Sequence, residues 1–270
     1  MFTINATLGF SWVISSFGFF LCCRYLIDPL TYVRLPVNKS NNHGLSSPYI
    51  RTWFTYSDEE RWQRLNLLIS WLHAFITGLL VLYSFYAYPE LQYDFVKHVN
   101  FVTYLTCSLS FGILDKLSYF CYDFCDVISN RRGSNLFEII LHHIVILIFF
   151  GLNIMRVLNI GYQMFALLAE VNSIFLHARK LFQLFNIPRE NFFVQLNMII
   201  NILTFFLCRL CMLFFVTIFV YYDRYRVGDS YYLFVTIILI PVMWIINPIL
   251  FYRVLYTDFL KRYKSRKLMS

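Results

Sequence analysis

The residues able to do chemistry stand where lipid would be expected. The stretch ALLAEVNSIFLHARKLF, residues 166–182, is mostly apolar but carries Glu170, Asn172, Ser173 and His177 and ends on Arg179 and Lys180. Upstream, Glu138 and His142 are four residues apart, and His143 follows. Asp115, Asp123 and Asp126 precede them, His73 lies earlier still, and Arg209 comes later. His142 and His143 could be an acid/base pair, or simply two interhelical donors. The competing reading is that Asn, Ser and Thr in such segments are hydrogen-bonding glue between helices. Asp123, Glu170 and Arg209 fit that reading less well. A charge at mid-membrane costs at least ~2.5 kcal/mol, so it must pair, change protonation or meet water.

Metal chemistry finds less support. Cysteines stand at 22, 23, 107, 121, 125, 208 and 211, inside or at the edge of apolar segments. Free cysteine behaves there as a small hydrophobe. The Cys121/Cys125 and Cys208/Cys211 spacings lack a complete four-ligand set in a polar loop. Neither a metal, a cofactor nor a nucleic acid is expected.

The elements that must position these groups are membrane helices. The 270 residues are 59% hydrophobic and 14% charged, and include 30 Phe and 20 Tyr. About 25% charged is usual for a soluble domain, so one soluble core is excluded. Runs of about 20 apolar residues mark spans. Seven are expected, near 5–26, 64–86, 97–121, 136–155, 162–180, 193–221 and 231–254. The first has neither a basic n-region nor a small-residue cleavage site, so it reads as an uncleaved span. The expected units are a first transmembrane helix at 1–27, a polar linker at 28–55, a helical domain at 56–262 and a basic cytosolic tail at 263–270.

Helical spacing aligns the polar residues into stripes. Asn66, Ser70, His73 and Thr77 form one. Asp115, Tyr119, Tyr122 and Asp126 form another, with Asp123 beside them. Gln163, Glu170, Ser173 and His177 share a face, as do Asn197, Asn201, Thr204 and Cys208 with Arg209 adjacent. Spans 2 to 6 thus each present one polar side, which predicts a bundle with a polar interior and the first span outside it. Asn247 lies between Pro241 and Pro248, where a kink is expected.

Orientation follows from the loops. Lys and Arg outside the spans divide 16 to 4, which puts the C-terminus in the cytosol and the N-terminus outside. Arg64 is counted among the cytosolic charges, and Arg179-Lys180 is read as a cytosolic anchor. On this orientation the sequon Asn5-Ala6-Thr7 is external, close to the bilayer, and Asn38-Lys39-Ser40 is cytosolic and unused. Seven spans alone would also suit a receptor, transporter or channel. However, no pair of similar broken halves marks an inverted repeat.

Five blocks carry a resemblance: RWQRLNLLISWLHAFITG, SYFCYDFCDVISN, LHHIVILIFF, LLAEVNSIFLHARKL and FFLCRLCML. In this order, and over roughly residues 56–262, the chain resembles the TLC-domain membrane proteins, relatives of the ceramide synthases. It looks most like the subgroup of TLC domain-containing proteins 1 and 2. The resemblance implies an all-α polytopic membrane protein of about seven transmembrane helices, six of them forming a TLC-type helical barrel. It also implies control of phospholipid fatty-acid composition and of plasma-membrane fluidity, by limiting entry of polyunsaturated acyl chains and so favouring rigidity. The implied partners are membrane lipids, a phospholipid or an acyl chain, with a lipid-remodelling enzyme as a further candidate. The alternative it implies is an acyl-CoA-dependent acyltransferase. In the synthases a paired His faces a His-Asp-x-x-x-Asp-like motif on the next helix. His142-His143 matches the pair, but Ala169 stands at the motif's His and Ser173 at its second Asp, with Glu170 between them at the first. The broken pattern argues for a non-enzyme. The expected polar lining is His73, Asp115, Asp123, Asp126, His143, Glu170, Asn172, His177 and Arg209.

Overall fold

A computed structural model describes residues 4–31, 58–96, 99–112, 136–227 and 230–260. All described elements are helical: α1 (Ala6–Thr31), α2 (Asp58–Ala87), α3 (Phe101–Gly112), α4 (Leu136–Arg156), α5 (Ile160–Leu167), α6 (Ala169–Leu184), α7 (Phe192–Phe205), α8 (Met212–Asp223) and α9 (Ser230–Leu255). A π-helical turn, Phe206–Cys211, joins α7 to α8, and a second, Tyr256–Leu260, extends α9.

Among the described residues, four helical stretches are long and apolar enough to cross a membrane: 6–27, 67–87, 192–223 and 230–260. Shorter apolar helices cover 101–110 and 144–156. The fifth expected span is divided at Leu168 into α5 and α6. Large apolar side chains such as Leu203, Phe214, Ile237 and Ile245 remain exposed on the outer faces. That surface is the one a helix shows to lipid. The chain is a multi-pass membrane protein.

Local sequence explains where the helices begin and end. Asn5 opens α1 by accepting the Leu8 N–H through its side chain at 2.8 Å. Asn100 and Thr103 do the same reciprocally for α3, at 2.8 and 3.2 Å. Asn191 caps α7 through the Phe193 N–H at 2.9 Å. Each side-chain oxygen satisfies a backbone donor that has no partner in the first turn. At the end of α6, Asn186 takes a left-handed φ of 52°. Ile187 N–H then bonds Phe182 C=O, and Asn186 N–H bonds Gln183 C=O. This Schellman closure turns the chain before Pro188. The last helix stays continuous through Pro241 and Pro248.

Packing closes the spans into a ring. α2 lies along α6, α6 along α7, the segment after α7 along α9, α9 along α4, α4 along α3, and α3 returns to α2. The first helix stays outside this ring, against α3, α2 and α4. Gly78 lets α2 and α6 approach: a Cβ there would sit 3.1 Å from Ile174 and 3.5 Å from the Val171 backbone. Small residues at such contacts let membrane helices come close enough to gain dispersion energy. Tyr104 ties α1 into the bundle, donating to Ile154 C=O at 3.0 Å and reaching Asn5 C=O at 3.2 Å. The half-span α5 packs against α3, α4, α2 and α8 and so fills one end of the ring.

Candidate functional site

The two ends of the ring differ in chemistry. At the end filled by α5, Phe95, Val96, Tyr162, Val220, Val227 and Tyr232 form an apolar cluster. Gly161 is pressed against the chain at Phe95. Tyr162 donates to Asp223 at 2.7 Å, and Arg226 reaches Asp223 at 2.9 Å and Asp94 at 3.1 Å. Hydrogen bonding to Asp223, then its charge, raises the Arg226 pKa above its ordinary value. These contacts tie the 88–96 loop to the end of α8 and close this mouth.

Toward the other end, α6 carries the candidate groups. Arg209 comes from the π-helical turn and donates through Nη2 to Ser173 Oγ at 2.9 Å. Ser173 in turn reaches Ala169 C=O at 3.2 Å. The Arg209 guanidinium sits 5.2 Å from the Phe205 ring centroid. Glu170 stands one turn before Ser173 on the same helix and in the electrostatic field of Arg209. A π turn inserts one residue into the helix and locally re-aims its side chains, a device often seen at functional sites. Here it directs a buried arginine at α6.

Asn172 has a different role. Its Nδ2 reaches Asn201 C=O at 3.0 Å, Asn201 Oδ1 at 3.1 Å and Thr204 Oγ1 at 3.1 Å. Asn197 donates to Phe175 C=O at 3.1 Å. The polar stripe of the sixth span thus serves largely as glue between α6 and α7.

The expected lining is only partly brought together. Arg209 meets Ser173 one turn beyond Glu170, and His177 is half-buried two turns further along α6 than Glu170. His73 faces elsewhere. Its ring meets Phe20 of α1 edge-on at 5.9 Å between centroids. Gly78, five residues on, faces α6, and five residues rotate a helix by about 140° from that face. The described contact of His73 is thus with the outer helix, on a side of α2 turned away from Gly78. Asp115, Asp123 and Asp126 lie outside the described residues. His142 and His143 belong to α4, and their side chains lie outside the described part, as does that of Glu138.

Two basic residues expected at the surface are structural instead. Arg179 binds Asp258 through Nε at 2.7 and 2.8 Å and through Nη2 at 2.5 Å, and the two side chains are 11% and 1% exposed. It is half of a buried ion pair, unlike the exposed Lys180 beside it. Arg64 is buried and donates to Leu184 C=O at 2.8 Å, closing the end of α6. A cation suits the free carbonyls of a helix C-terminus. Asp258, from the second π turn, and the Asp223–Tyr162 pair were not singled out by periodicity. A lone acidic residue beside a basic tail was the only signal for Asp258.

Comparison with known proteins decides the family. The TLC-domain profile matches residues 65–256, well over half of the chain. The chain belongs to the TLC-domain family. It is 28% identical to TLC domain-containing protein 2 of Danio rerio over 207 residues, covering 77% of this chain and 81% of that one. It is 27% identical to TLC domain-containing protein 1 of Homo sapiens over 251 residues, covering 93% and 91%. To TLC domain-containing protein 1 of Gallus gallus it is 29% identical over 199 residues, covering 73% and 75%. The profile brackets every element of the ring except the first turns of α2 and the π-helical end after α9, and it excludes α1.

Proposed function

We propose that the protein is a non-enzymatic regulator of membrane phospholipid fatty-acid composition. It limits incorporation of polyunsaturated acyl chains into phospholipids and so favours a more rigid plasma membrane. It acts by binding a phospholipid or acyl chain within the helical ring and biasing a lipid-remodelling enzyme. The orientation that goes with this reading has the N-terminus outside and the C-terminus cytosolic, as the 16-to-4 loop charge suggests.

One observation carries the non-enzymatic part. Ser173 stands where the synthase pattern carries a carboxylate, and its hydroxyl is already engaged by Arg209 and by Ala169 C=O. Ala169 at the head of α6 has no titratable group to offer. A general base must accept a proton within hydrogen-bond reach of the nucleophile, and two of the three positions that would build one are occupied by groups unable to do so. Glu170 favours a second reading, acyl transfer with Glu170 and His143 as orienter and base.

Deletion followed by lipidomics tests the first reading. Polyunsaturated chains in phosphatidylethanolamine and phosphatidylcholine should rise, and re-expression of a His143→Ala variant should restore them. Unchanged composition would count against regulation. Failure of the His143→Ala variant, together with turnover of acyl-CoA by purified protein, would favour the transferase.

A further inference from the structure

Arg224 follows α8 directly, at the end of the apolar stretch 192–223 and beside the closed mouth of the ring. Two residues on, Arg226 engages Asp223 and Asp94. Among the described residues no carboxylate pairs with Arg224. Its guanidinium is nevertheless held in place. Nη1 donates to Tyr221 C=O at 2.7 Å, and Nη2 reaches Tyr225 Oη at 3.4 Å. Cζ lies 4.3 and 4.4 Å from the centroids of the same two tyrosine rings. Most of the N–H donors of a guanidinium are still available after these bonds. The tyrosines are 64% and 84% exposed, so this arrangement lies open at the surface.

The surroundings select what can meet that charge. A cation just past an apolar membrane stretch stands at headgroup level, where tyrosines also collect. Phe214 and Tyr221, seven residues apart, share one face of α8, and both are exposed. About 10 Å of helix separates them. Phe215 and Tyr222 repeat the spacing beside them and are also exposed. Apolar surface for hydrocarbon therefore lies directly along the helix from the guanidinium. In a bilayer, the anion carried at that level above hydrocarbon is the phosphodiester of a phospholipid. A planar guanidinium matches two phosphate oxygens at once. Held against two rings, it has little side-chain freedom left to lose on binding.

We propose that Arg224, positioned by Tyr221 and Tyr225, binds the phosphodiester of a phospholipid whose acyl chains lie along Phe214 and Phe215. The site is on the exposed face of α8 and does not depend on lipid binding within the ring.

The test uses the purified full chain in alkyl maltoside micelles, which contribute no phosphate, with bound lipid counted by native mass spectrometry. Dioleoyl phosphatidylcholine and dioleoylglycerol are the probes; they share their acyl chains and differ in the phosphate headgroup. Arg224→Gln should weaken phosphatidylcholine binding about tenfold, the worth of one hydrogen bond to a charged group, and leave dioleoylglycerol unchanged. Tyr225→Leu should weaken phosphatidylcholine binding about threefold, the worth of an exposed cation–π contact. Each variant is read against the unaltered chain, so lipid held within the ring cancels. Unchanged phosphatidylcholine binding in Arg224→Gln overturns the proposal, as does an equal loss of both probes. Displacement of phosphatidylcholine by glycerophosphocholine or inorganic phosphate marks a free-anion site and overturns it. A dimer of the unaltered chain that Arg224→Gln dissociates assigns the guanidinium to a carboxylate of a second copy and also overturns it. Should Arg224→Gln not elute as a folded species, Tyr225→Leu decides, and phosphatidylcholine binding equal to that of the unaltered chain overturns the proposal.

Discussion

Removing the Asp258 charge should cost this fold more than any other single conservative change in the described helices. Asp258→Asn keeps the size and shape of the side chain in the π turn after α9 but leaves the Arg179 guanidinium without its counter-charge. The carboxylate is 1% exposed and the guanidinium side chain 11%, so water compensates little. Three short contacts, 2.5 to 2.8 Å, are lost or weakened together. Breaking one side of a buried pair costs about 3–5 kcal/mol, because a charge is left buried alone. That is roughly a hundredfold to a few-thousandfold shift in the unfolding equilibrium. The double variant Arg179→Met with Asp258→Leu should recover most of the loss, since two apolar groups of similar size carry no desolvation penalty. Equilibrium unfolding in mixed micelles with increasing dodecyl sulfate, followed by the fluorescence of the five tryptophans, gives all four corners of the cycle. The reasoning fails if Asp258→Asn loses under about 1 kcal/mol, or if the double variant is as unstable as the sum of the two single changes.

Two further changes probe the closed end. Gly161→Ala would place a Cβ 2.6 Å from Phe95 Cα and 2.7 Å from Phe95 C=O. Backbone cannot yield as a side chain end does, so a loss of about 1–3 kcal/mol is expected; Gly18→Ala, which meets nothing within 4 Å, should leave the unfolding midpoint unchanged or slightly higher. Tyr162→Phe removes the 2.7 Å bond to Asp223 and should cost about 1.5–3 kcal/mol, the usual worth of a bond to a charged group. Faster proteolysis within residues 88–96 would be the accompanying sign that this loop has lost its hold on α8.

Much of the architecture was legible before any coordinates. Apolar runs of about 20 residues announce spans because the bilayer core demands them. The chain is too apolar for any other solvent. The helix ends came from the structure: Asn5, Asn100 and Asn191 cap through bonds to backbone N–H groups, and Asn186 closes α6 before Pro188. The polar stripe on 170, 173 and 177 was visible from spacing alone, whereas Ala169 and Ser173 stand in place of acidic-motif residues only in the light of the family resemblance. Periodicity says which residues share a side of a helix, but not what that side meets. So His73, on a well-formed polar stripe, turned out to face Phe20 of the outer helix. The Asn stripe of the sixth span could have been lining or glue, and packing made it glue.

The tertiary structure decided the pairings. Arg179 and Asp258 are 79 positions apart, and Ser173 and Arg209 are 36 apart. No local signal can relate such positions, because hydrogen bonds and ion pairs depend on distance in space. Arg209 and Asp258 also come from π turns, whose extra residue shifts the helical phase that spacing arguments assume. The sequence by itself determined a bundle of membrane helices with charged residues that had to find partners. Only the fold determined which partners they found.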